Sequence, residues 1–213
     1  MVTYIVIGII AYLIGSISFS VIISKKMAGF DVREKGSKNA GSTNVLRTVG
    51  KKAAVITLLC DVLKGVVAVL IAYIVGKFVN DVNVNKAILV QVAALCVVIG
   101  HTFPIFFKFK GGKGVATSLG IVLLLNWQIG LICLVFALVL MILTRMVSLG
   151  SISAAILFPV LTIFITENYL VEGNYIIFGI LLAAFVVYNH RANVRRILTG
   201  TENKLNFNKE KGE

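Results

Sequence analysis

Seven long apolar runs constrain this chain more than any other feature of its sequence. A helix that crosses the hydrocarbon core of a bilayer needs about 20 mostly apolar residues, whereas the strands of a membrane barrel alternate apolar and polar residues. The runs here are continuous, so we predict an all-α polytopic membrane protein with seven transmembrane helices. The predicted spans are Val2–Ser24, Ala53–Gly76, Ala87–Phe107, Val115–Leu125, Ile129–Thr144, Leu149–Thr166 and Tyr175–Tyr188. The fourth is short, which leaves open whether it tilts, extends through the preceding glycines or stops short of spanning.

The amino-acid composition excludes most other classes of protein. Of the 213 residues, 58% are hydrophobic and 14% are charged, against about 45–50% and about 25% in an ordinary soluble domain. A soluble fold of this size has too little interior for so many apolar side chains. We therefore exclude a soluble globular enzyme, a disordered chain and a basic nucleic-acid-binding arm. Because the chain has only two prolines, a collagen-like protein is excluded as well.

The distribution of basic residues predicts the orientation in the membrane. Eighteen of the 21 lysines and arginines lie after the first, third, fifth and seventh spans, whereas the opposite loops hold Lys77 and Lys86. Segments rich in lysine and arginine stay in the cytoplasm, so we expect the N-terminus outside and the C-terminus inside. The opposite loops also carry three acids, Asp81, Glu167 and Glu172. The first run lacks a basic start and a cleavage signal, and we interpret it as a retained helix.

The first predicted cytoplasmic segment concentrates small, hydroxyl and amide residues among cations. Gly36–Asn44 reads G-S-K-N-A-G-S-T-N and is followed by Arg47. Glycine allows close backbone approach, and clustered N–H groups form anion-binding nests. We therefore predict a phosphate or other oxyanion site, for which the candidate side chains are Ser37, Asn39, Thr43, Asn44 and Arg47. The alternative is a solvated basic loop that faces anionic lipid.

The second cytoplasmic segment, residues 100–117, contains a glycine-rich run that opens the fourth predicted helix. Free N–H groups at a helix start, together with the helix dipole, favour a bound anion. The candidate phosphate-binding residues are Lys110, Gly111, Gly112, Lys113 and Gly114. The spacing is not that of a Walker A loop, so nucleotide hydrolysis is not indicated. The alternative is a glycine turn with interfacial lysines.

The third segment begins where the last span ends, with the sequence N-H-R-A-N-V-R-R. If the helix continues, His190, Asn193 and Arg196 share one face, because residues three apart are neighbours on a helix. Such a stripe beside two anion-binding loops suggests a role at the site. The alternative is a histidine with a structural role at the membrane edge.

The second span contains two opposite charges, Asp61 and Lys64. Charged residues inside a span are expensive and suggest function, and an ion pair that holds helices together is an equal alternative. The three cysteines are Cys60, Cys96 and Cys133, an odd number without C-x-x-C spacing, so we expect neither disulfides nor a metal site. Two distant histidines without a carboxylate cluster also argue against a metal site. The absence of G-x-S-x-G disfavours a serine hydrolase.

Taken in order, the three segments resemble one family, the bacterial acyl-phosphate:glycerol-3-phosphate acyltransferases of the PlsY type. The family pattern is G-S-x-N-x-G-[AS]-T-N-x-x-R, then G-H-x-F-P with F-K-G-G-K-G-V-A-T, then N-H-x-x-N-x-x-R with G-x-E-x-K, and all three parts occur here. The resemblance covers nearly the whole chain and implies a single domain, 1–213, with cytoplasmic motif regions 33–50, 100–117 and 189–204. This sequence departs from the pattern at Lys38, where the family often has glycine, and at Ser18, where proline is common.

The resemblance implies transfer of a fatty acyl group from acyl phosphate to the 1-hydroxyl of glycerol 3-phosphate. The products would be lysophosphatidic acid and phosphate, in the first acylation of bacterial phospholipid synthesis. It implies a multi-pass protein of the bacterial cell membrane whose site faces the cytoplasm, with membrane lipid as a partner and no cofactor, metal or nucleic acid. The expected catalytic residues are His190, Asn193, Ser37 and Arg47. The expected substrate-binding residues are Asn39, Thr43, Asn44, Lys110, Gly111, Gly112, Lys113 and Gly114.

The role of His190 stays open between a general base and a positioning group, of which we favour positioning. A neutral imidazole suits proton abstraction near neutral pH, yet neighbouring arginines disfavour the imidazolium that a base must form. Two rival functions are a transporter for phosphorylated small molecules and a non-catalytic lipid-binding scaffold. Transporter sites lie near the midplane of the bilayer, whereas the conspicuous polar residues here lie at one face.

Overall fold

The computed structural model describes residues 1–79, 84–165 and 170–205, and within them the chain is entirely helical. The α-helices are α1 Val2–Gly15, α2 Phe19–Ala28, α3 Ser42–Thr48, α4 Lys51–Phe78, α5 Lys86–Thr102, α6 Val115–Leu125, α7 Trp127–Thr144, α8 Val147–Phe164, α9 Ile176–Asn189 and α10 Arg191–Leu198. Two short 3-10 helices cover Val32–Glu34 and Ile105–Phe107. The expectation of an all-α fold is confirmed.

Five helical segments in the described part of the chain are long and apolar enough to cross a membrane. They are Val2–Ala28, Lys51–Phe78, Lys86–Phe107, Trp127–Thr144 and Val147–Phe164. A sixth candidate is the pair α9 and α10, which is bent by 64° at the junction. The protein is therefore a multi-pass membrane protein. The predicted end of the sixth span at Thr166, and the loop charges at Asp81, Glu167, Lys209 and Lys211, lie outside the described residues.

The first predicted span is not one continuous helix. The predicted span Val2–Ser24 lies within the apolar segment Val2–Ala28, but α1 ends at Gly15 and α2 begins at Phe19. The break is possible because carbonyl groups that lack a helical N–H partner there accept hydrogen bonds from a side chain of another helix. The ammonium of Lys64 in α4 donates to the carbonyl oxygens of Gly15 and Ile17. A break in a membrane helix is tolerated where side chains satisfy the exposed backbone groups in this way.

The third predicted span, Ala87–Phe107, matches the apolar helical segment Lys86–Phe107. Within this segment, the α-helix α5 stops at Thr102. Pro104 explains the stop, because a proline disfavours helical geometry in the residue before it. Phe103 accordingly leaves the helical region, and its carbonyl accepts a hydrogen bond from the Tyr12 hydroxyl at 2.8 Å.

The short fourth span starts after the glycine run rather than extending through it. Helix α6 has 11 residues, which at 1.5 Å per residue amounts to about 16 Å, roughly half of the hydrocarbon thickness. Its position against α4 depends on two glycines. A Cβ on Gly65 would lie 2.5 Å from the Thr117 carbonyl oxygen, and one on Gly120 would lie 2.4 Å from that of Val62. These close contacts fix α6, and the glycine run that precedes it, beside the part of α4 that carries Asp61 and Lys64.

The helix that follows the last span is not a continuation of it. The expected continuous stripe of His190, Asn193 and Arg196 is wrong as a helical face, because the chain bends at His190 between α9 and α10. The bend nevertheless keeps all three residues at one cavity. α10 therefore lies across the end of the bundle rather than along it.

Candidate active site

One cavity of about 650 Å³ brings the three polar segments together. Polar side chains from all three segments line one part of the cavity, which we call its mouth. Apolar residues of α6, α7, α8 and α9 line the rest, which we call its interior. The apolar lining includes Leu119, Val122, Cys133, Leu134, Ala137, Phe158 and Leu182. The cavity thus joins a cationic, hydrogen-bonding mouth to a hydrocarbon-like interior, an arrangement suited to a ligand with an anionic head and a long apolar tail.

The first segment is folded around the buried side chain of Asn44. Its amide nitrogen donates to the carbonyl oxygens of Val32, Lys35 and Asn39 at 2.8, 3.0 and 3.1 Å. Its side-chain oxygen accepts from the backbone N–H of Ser37 at 2.9 Å. These four bonds use the amide on the loop itself, so Asn44 shapes the segment around the cavity.

The loop residue Lys38 has a left-handed backbone with φ of 57°. Glycine adopts this conformation without a steric penalty, which gives a physical reason for the glycine that the resembling family often has here. The side chain of Lys38 is exposed at the rim of the cavity. The departure from the family pattern therefore changes backbone strain and rim charge, while the four bonds of Asn44 remain in place.

Arg33 fastens the first segment to the second. Its guanidinium forms a two-pronged ion pair with Asp31, with Nε–Oδ1 of 2.9 Å and Nη2–Oδ2 of 2.7 Å. The remaining Nη1 donates to the carbonyl oxygens of Phe107 and Lys110 at 2.7 and 3.1 Å. The hydrogen bond from Arg33, with its backbone N–H and charge, lowers the pKa of Asp31 against the opposing effect of burial.

The glycine run of the second segment is packed against the end of α5. The N–H groups of Gly111 and Gly112 donate to the carbonyl oxygens of Thr102 and His101 at 3.0 and 3.1 Å. Gly112 leaves no room for a side chain, because a Cβ there would lie 2.2 Å from His101 Nε2 and 2.7 Å from the Ala40 carbonyl oxygen. Gly114 has φ of 86° and forms the N-cap of α6. The run therefore turns sharply and directs Lys113 into the cavity.

His190 is buried at the junction of α9 and α10. Its Nδ1 lies 2.8 Å from the carbonyl oxygen of Val186, and because a carbonyl only accepts, Nδ1 carries the proton and Nε2 is the acceptor in the neutral ring. Burial, reinforced by the positive charge of Lys113, lowers the pKa of His190 to about 4. At neutral pH the ring is therefore uncharged and weakly basic.

Glu202 organises the polar side of the cavity. Its Oε1 accepts from Asn193 Nδ2 at 2.8 Å and from the Ser148 hydroxyl at 2.9 Å, and its Oε2 accepts from Arg196 Nε at 2.9 Å. Burial acts in the opposite direction, yet these three hydrogen bonds hold the pKa of Glu202 below its ordinary value. Asn193 in turn accepts a hydrogen bond from Lys113 through Oδ1. Glu202 thus orients Asn193 directly, and Asn193 connects it to Lys113 of the second segment.

Three cations converge on this carboxylate. Burial lowers the pKa of Lys113 to about 8, and the positive charges of Arg196 and Arg47 act in the same direction against the attraction of Glu202. Arg47 is exposed, and its Nη2 donates to the Asn203 carbonyl oxygen at 3.4 Å. Three cations beside one acid leave a net positive site, which favours anionic phosphate groups.

The structure brings together most of the residues that the sequence marked. The predicted residues that line the cavity are Ser37, Asn39, Thr43, Asn44, Arg47, Lys113, Gly114, His190 and Asn193. Three others border the loops but are not among the lining residues: Lys110 is exposed, and Gly111 and Gly112 pack on α5. Within the described ranges, no group of three or more His, Cys, Asp or Glu side chains could hold a metal ion.

Several residues of the site were not singled out by sequence reasoning. Ser148 comes from the start of α8, where a lone serine carries no motif signal, and it contacts Glu202 only through tertiary packing. Arg33 was counted as one loop charge among many, although the neighbouring Asp31 hinted at a pair. His101 also lines the cavity and was not marked, whereas Asp61, which lines it too, had been marked as a charge within the second span.

Comparison with known proteins agrees with these features. The glycerol-3-phosphate acyltransferase family profile matches residues 5–200. A glycerol-3-phosphate acyltransferase of Clostridioides difficile is 46% identical over 208 residues, covering 98% of each chain. One of Fusobacterium nucleatum is 44% identical over 200 residues, covering 93% of this chain and 96% of the relative.

Two solved structures share the fold. Both are crystal structures of PlsY (YgiH), an integral membrane glycerol 3-phosphate acyltransferase. The glycerol 3-phosphate form is 37% identical, with a TM-score of 0.83 and coverage of 95% of this chain and 96% of the other. The lysophosphatidic acid form is 36% identical, with a TM-score of 0.81 and coverage of 95% of each. On the extent of these matches, the chain belongs to the glycerol-3-phosphate acyltransferase family.

Proposed function

We propose that this protein transfers a fatty acyl group from acyl phosphate to the 1-hydroxyl of glycerol 3-phosphate, releasing lysophosphatidic acid and phosphate. The observation that carries the proposal is the cavity that joins a cationic mouth to an apolar interior. Its mouth suits two phosphate groups, and its interior suits one acyl chain. The glycerol 3-phosphate and lysophosphatidic acid forms of the related PlsY structures support the same reaction. Formation of lysophosphatidic acid would be the first acylation in bacterial phospholipid synthesis.

The reaction needs positioning and charge stabilisation more than a strong base. The hydroxyl oxygen of glycerol 3-phosphate bonds to the acyl carbonyl carbon, and the bond from that carbon to the bridging phosphate oxygen breaks. The departing phosphate takes the hydroxyl proton. Arg47 and Lys113 offset the repulsion between the two phosphates, and holding both reactants at the mouth supplies the proximity that a bimolecular step lacks in solution.

His190 acts in this scheme as a positioning group. Its Nδ1 proton is held by the Val186 carbonyl, so Nε2 is available to accept a hydrogen bond from the substrate hydroxyl. Because burial and Lys113 lower its pKa to about 4, the ring is a poor proton acceptor. Asn193, held by Glu202 and Lys113, completes the positioning. Ser37, Asn39 and Thr43 form the opposite wall.

The proposed topology has seven spans in one domain, with the N-terminus outside and the three motif regions 33–50, 100–117 and 189–204 in the cytoplasm. It counts the short α6 and α9 as two spans beside the five longer segments, with α10 at the cytoplasmic end of α9. The site then faces the cytoplasm from a bacterial inner membrane. Single cysteines at Lys38, Lys108 and Lys204, in a background without native cysteines, are expected to label from the cytoplasmic side only. A cysteine at Lys86 is the matched control, expected to label from outside, and external labelling of Lys38 would contradict the topology.

The test of function is a phosphate-release assay with purified protein, acyl phosphate and glycerol 3-phosphate without added metal. We expect lysophosphatidic acid and phosphate in equal amounts, and no transfer from acyl-CoA or acyl carrier protein. Arg47→Ala is expected to abolish transfer, whereas Lys86→Ala, a basic residue remote from the cavity, is the control. Uptake of glycerol 3-phosphate into vesicles without acyl phosphate, in the absence of acyl transfer, would favour a transporter instead.

A further inference from the structure

Two opposite charges are buried inside the second membrane span, and of these Asp61 lines the cavity whereas Lys64 does not. Asp61 and Lys64 are 2% and 4% exposed, and Lys64 Nζ lies 2.9 Å from Asp61 Oδ1. Ionised side chains within a span are costly and are retained where they do something that apolar residues cannot. The partners of each charge indicate what this pair does.

Lys64 donates hydrogen bonds to the backbone at the break between α1 and α2. Its ammonium donates to the carbonyl oxygens of Gly15 and Ile17 at 3.0 and 2.9 Å, and it forms an ion pair with Asp61. The charge on α4 therefore fixes where α1 ends and α2 begins, and α2 leads directly into the first cytoplasmic segment.

Asp61 connects the same charge to the second segment. Its Oδ1 makes a 3.4 Å polar contact with His101 Nδ1. The imidazole of His101 lies directly beneath Gly112, since a Cβ on that glycine would be 2.2 Å from Nε2. The same Cβ would be 2.7 Å from the carbonyl oxygen of Ala40. His101 and Ala40 thus enclose Gly112 where the first and second segments meet.

Close backbone contacts prevent these helices from sliding past one another. A Cβ on Gly15 would lie 2.1 Å from the Val97 carbonyl oxygen of α5, and one on Gly100 would lie 2.2 Å from the Tyr12 carbonyl oxygen of α1. Gly65, one residue after Lys64, has the same relation to α6 through Thr117. A change at Asp61, Lys64 or His101 is therefore transmitted to the loops rather than absorbed by the bundle.

We propose that Asp61, Lys64 and His101 form a positioning network that sets the distance between the two loops that bind glycerol 3-phosphate. This inference rests on the proposed function, because it assigns the network to that substrate. The competing explanation is that the aspartate and the lysine only neutralise each other. The two explanations differ when both charges are removed together, because buried ion pairs replaced by apolar residues often leave stability unchanged.

The experiment compares the double variant Asp61→Leu/Lys64→Met with the wild-type protein in full-length form. Thermal unfolding measures stability, and phosphate release at varied glycerol 3-phosphate measures KM and kcat. We expect a lowered Tm, because the carbonyl oxygens of Gly15 and Ile17 lose their donor. In the protein that remains folded, we expect the KM for glycerol 3-phosphate to rise about tenfold, because small displacements of binding groups are costly in this way. Thr57→Val is the matched control, since its buried hydroxyl bonds only to Ala53 of its own helix. It should leave KM unchanged.

His101→Leu and His101→Gln keep the test decisive if the double variant does not fold. Leucine removes the polar contact to Asp61 and is expected to raise the KM for glycerol 3-phosphate about tenfold. Glutamine retains a hydrogen-bond donor, so its KM is expected to lie between those of the leucine variant and the wild type. A double variant or a folded His101→Leu protein with wild-type KM would overturn the proposal.

Glycerol 3-phosphate also stabilises any protein that binds it, by an amount set by its affinity. The shift in Tm that glycerol 3-phosphate causes, measured without acyl phosphate, therefore separates two failures. If the wild-type protein transfers no acyl group, the proposed function fails. A smaller ligand-induced shift in His101→Leu than in the wild type still supports the network, and an equal shift in both contradicts it.

Discussion

Alanine in place of Gly112 tests the site more directly than any change to a charged residue. The backbone at Gly112 does not have a positive φ, so alanine meets no conformational penalty there. Its Cβ would instead lie 2.2 Å from His101 Nε2 and 2.7 Å from the Ala40 carbonyl oxygen. The ring contacts Asp61 and the carbonyl belongs to the backbone, so neither can move without moving a loop.

The cost of this overpacking is about 1–3 kcal/mol. If this energy destabilises only the complex with glycerol 3-phosphate, the KM for that substrate rises between about fivefold and a hundredfold, since about 1.4 kcal/mol is a factor of ten. Because Gly112 does not line the cavity, the effect would pass through displacement of Lys113 rather than through a direct block of substrate. We expect kcat to change less than KM.

The assay is steady-state phosphate release at varied glycerol 3-phosphate, with thermal unfolding of the same preparation. Gly76→Ala is the matched control, because a Cβ there meets Leu89 at 3.5 Å and Lys86 at 3.6 Å, which is ordinary contact. It should leave KM unchanged and should not lower Tm, because alanine has the higher helix propensity and meets no close contact there. A Gly112→Ala protein with wild-type KM and wild-type Tm would refute the contact argument.

Three further predictions concern charge and protonation. Arg33→Lys should raise KM for glycerol 3-phosphate and lower Tm, because lysine cannot reproduce the fork that holds Asp31 and two carbonyl groups. Since the pKa of Asp31 is lowered in the folded protein, the stabilisation is present above the unfolded pKa of about 3.9 and is lost as pH falls through the lower folded value. The difference in Tm between the two proteins should therefore shrink as the pH is lowered below about 3.9. His190→Asn and His190→Gln should retain more activity than His190→Ala. The wild-type kcat should show no inflection near pH 6.5, because the pKa of His190 is about 4. If all three variants are folded and equally inactive, His190 is better described as a general base. Lys113 has a pKa of about 8, so it loses its positive charge as the pH rises through that value, and kcat/KM for glycerol 3-phosphate should fall there. Lys113→Arg should move this fall to higher pH. A fall at the same pH in both proteins would contradict the assignment to Lys113.

The sequence was sufficient for the membrane class, and it marked the loop residues as candidates for anion binding. Apolar runs near the length of a bilayer crossing leave little choice of architecture, because backbone groups in lipid must bond within a helix. Glycines, hydroxyls and cations at a helix start likewise indicate anion binding from local geometry alone. These properties depend on residues close together in the chain, which is why Gly111–Gly114 and Arg47 could be marked without coordinates.

Properties that depend on distant partners required the tertiary structure. The break after Gly15 exists because Lys64, 49 residues away, supplies donors to its carbonyl groups. Asn44 resembled a substrate ligand in sequence, yet its amide is bonded to its own loop. A local pattern records which groups a residue carries, whereas packing decides which partners those groups meet and whether they remain available to a substrate.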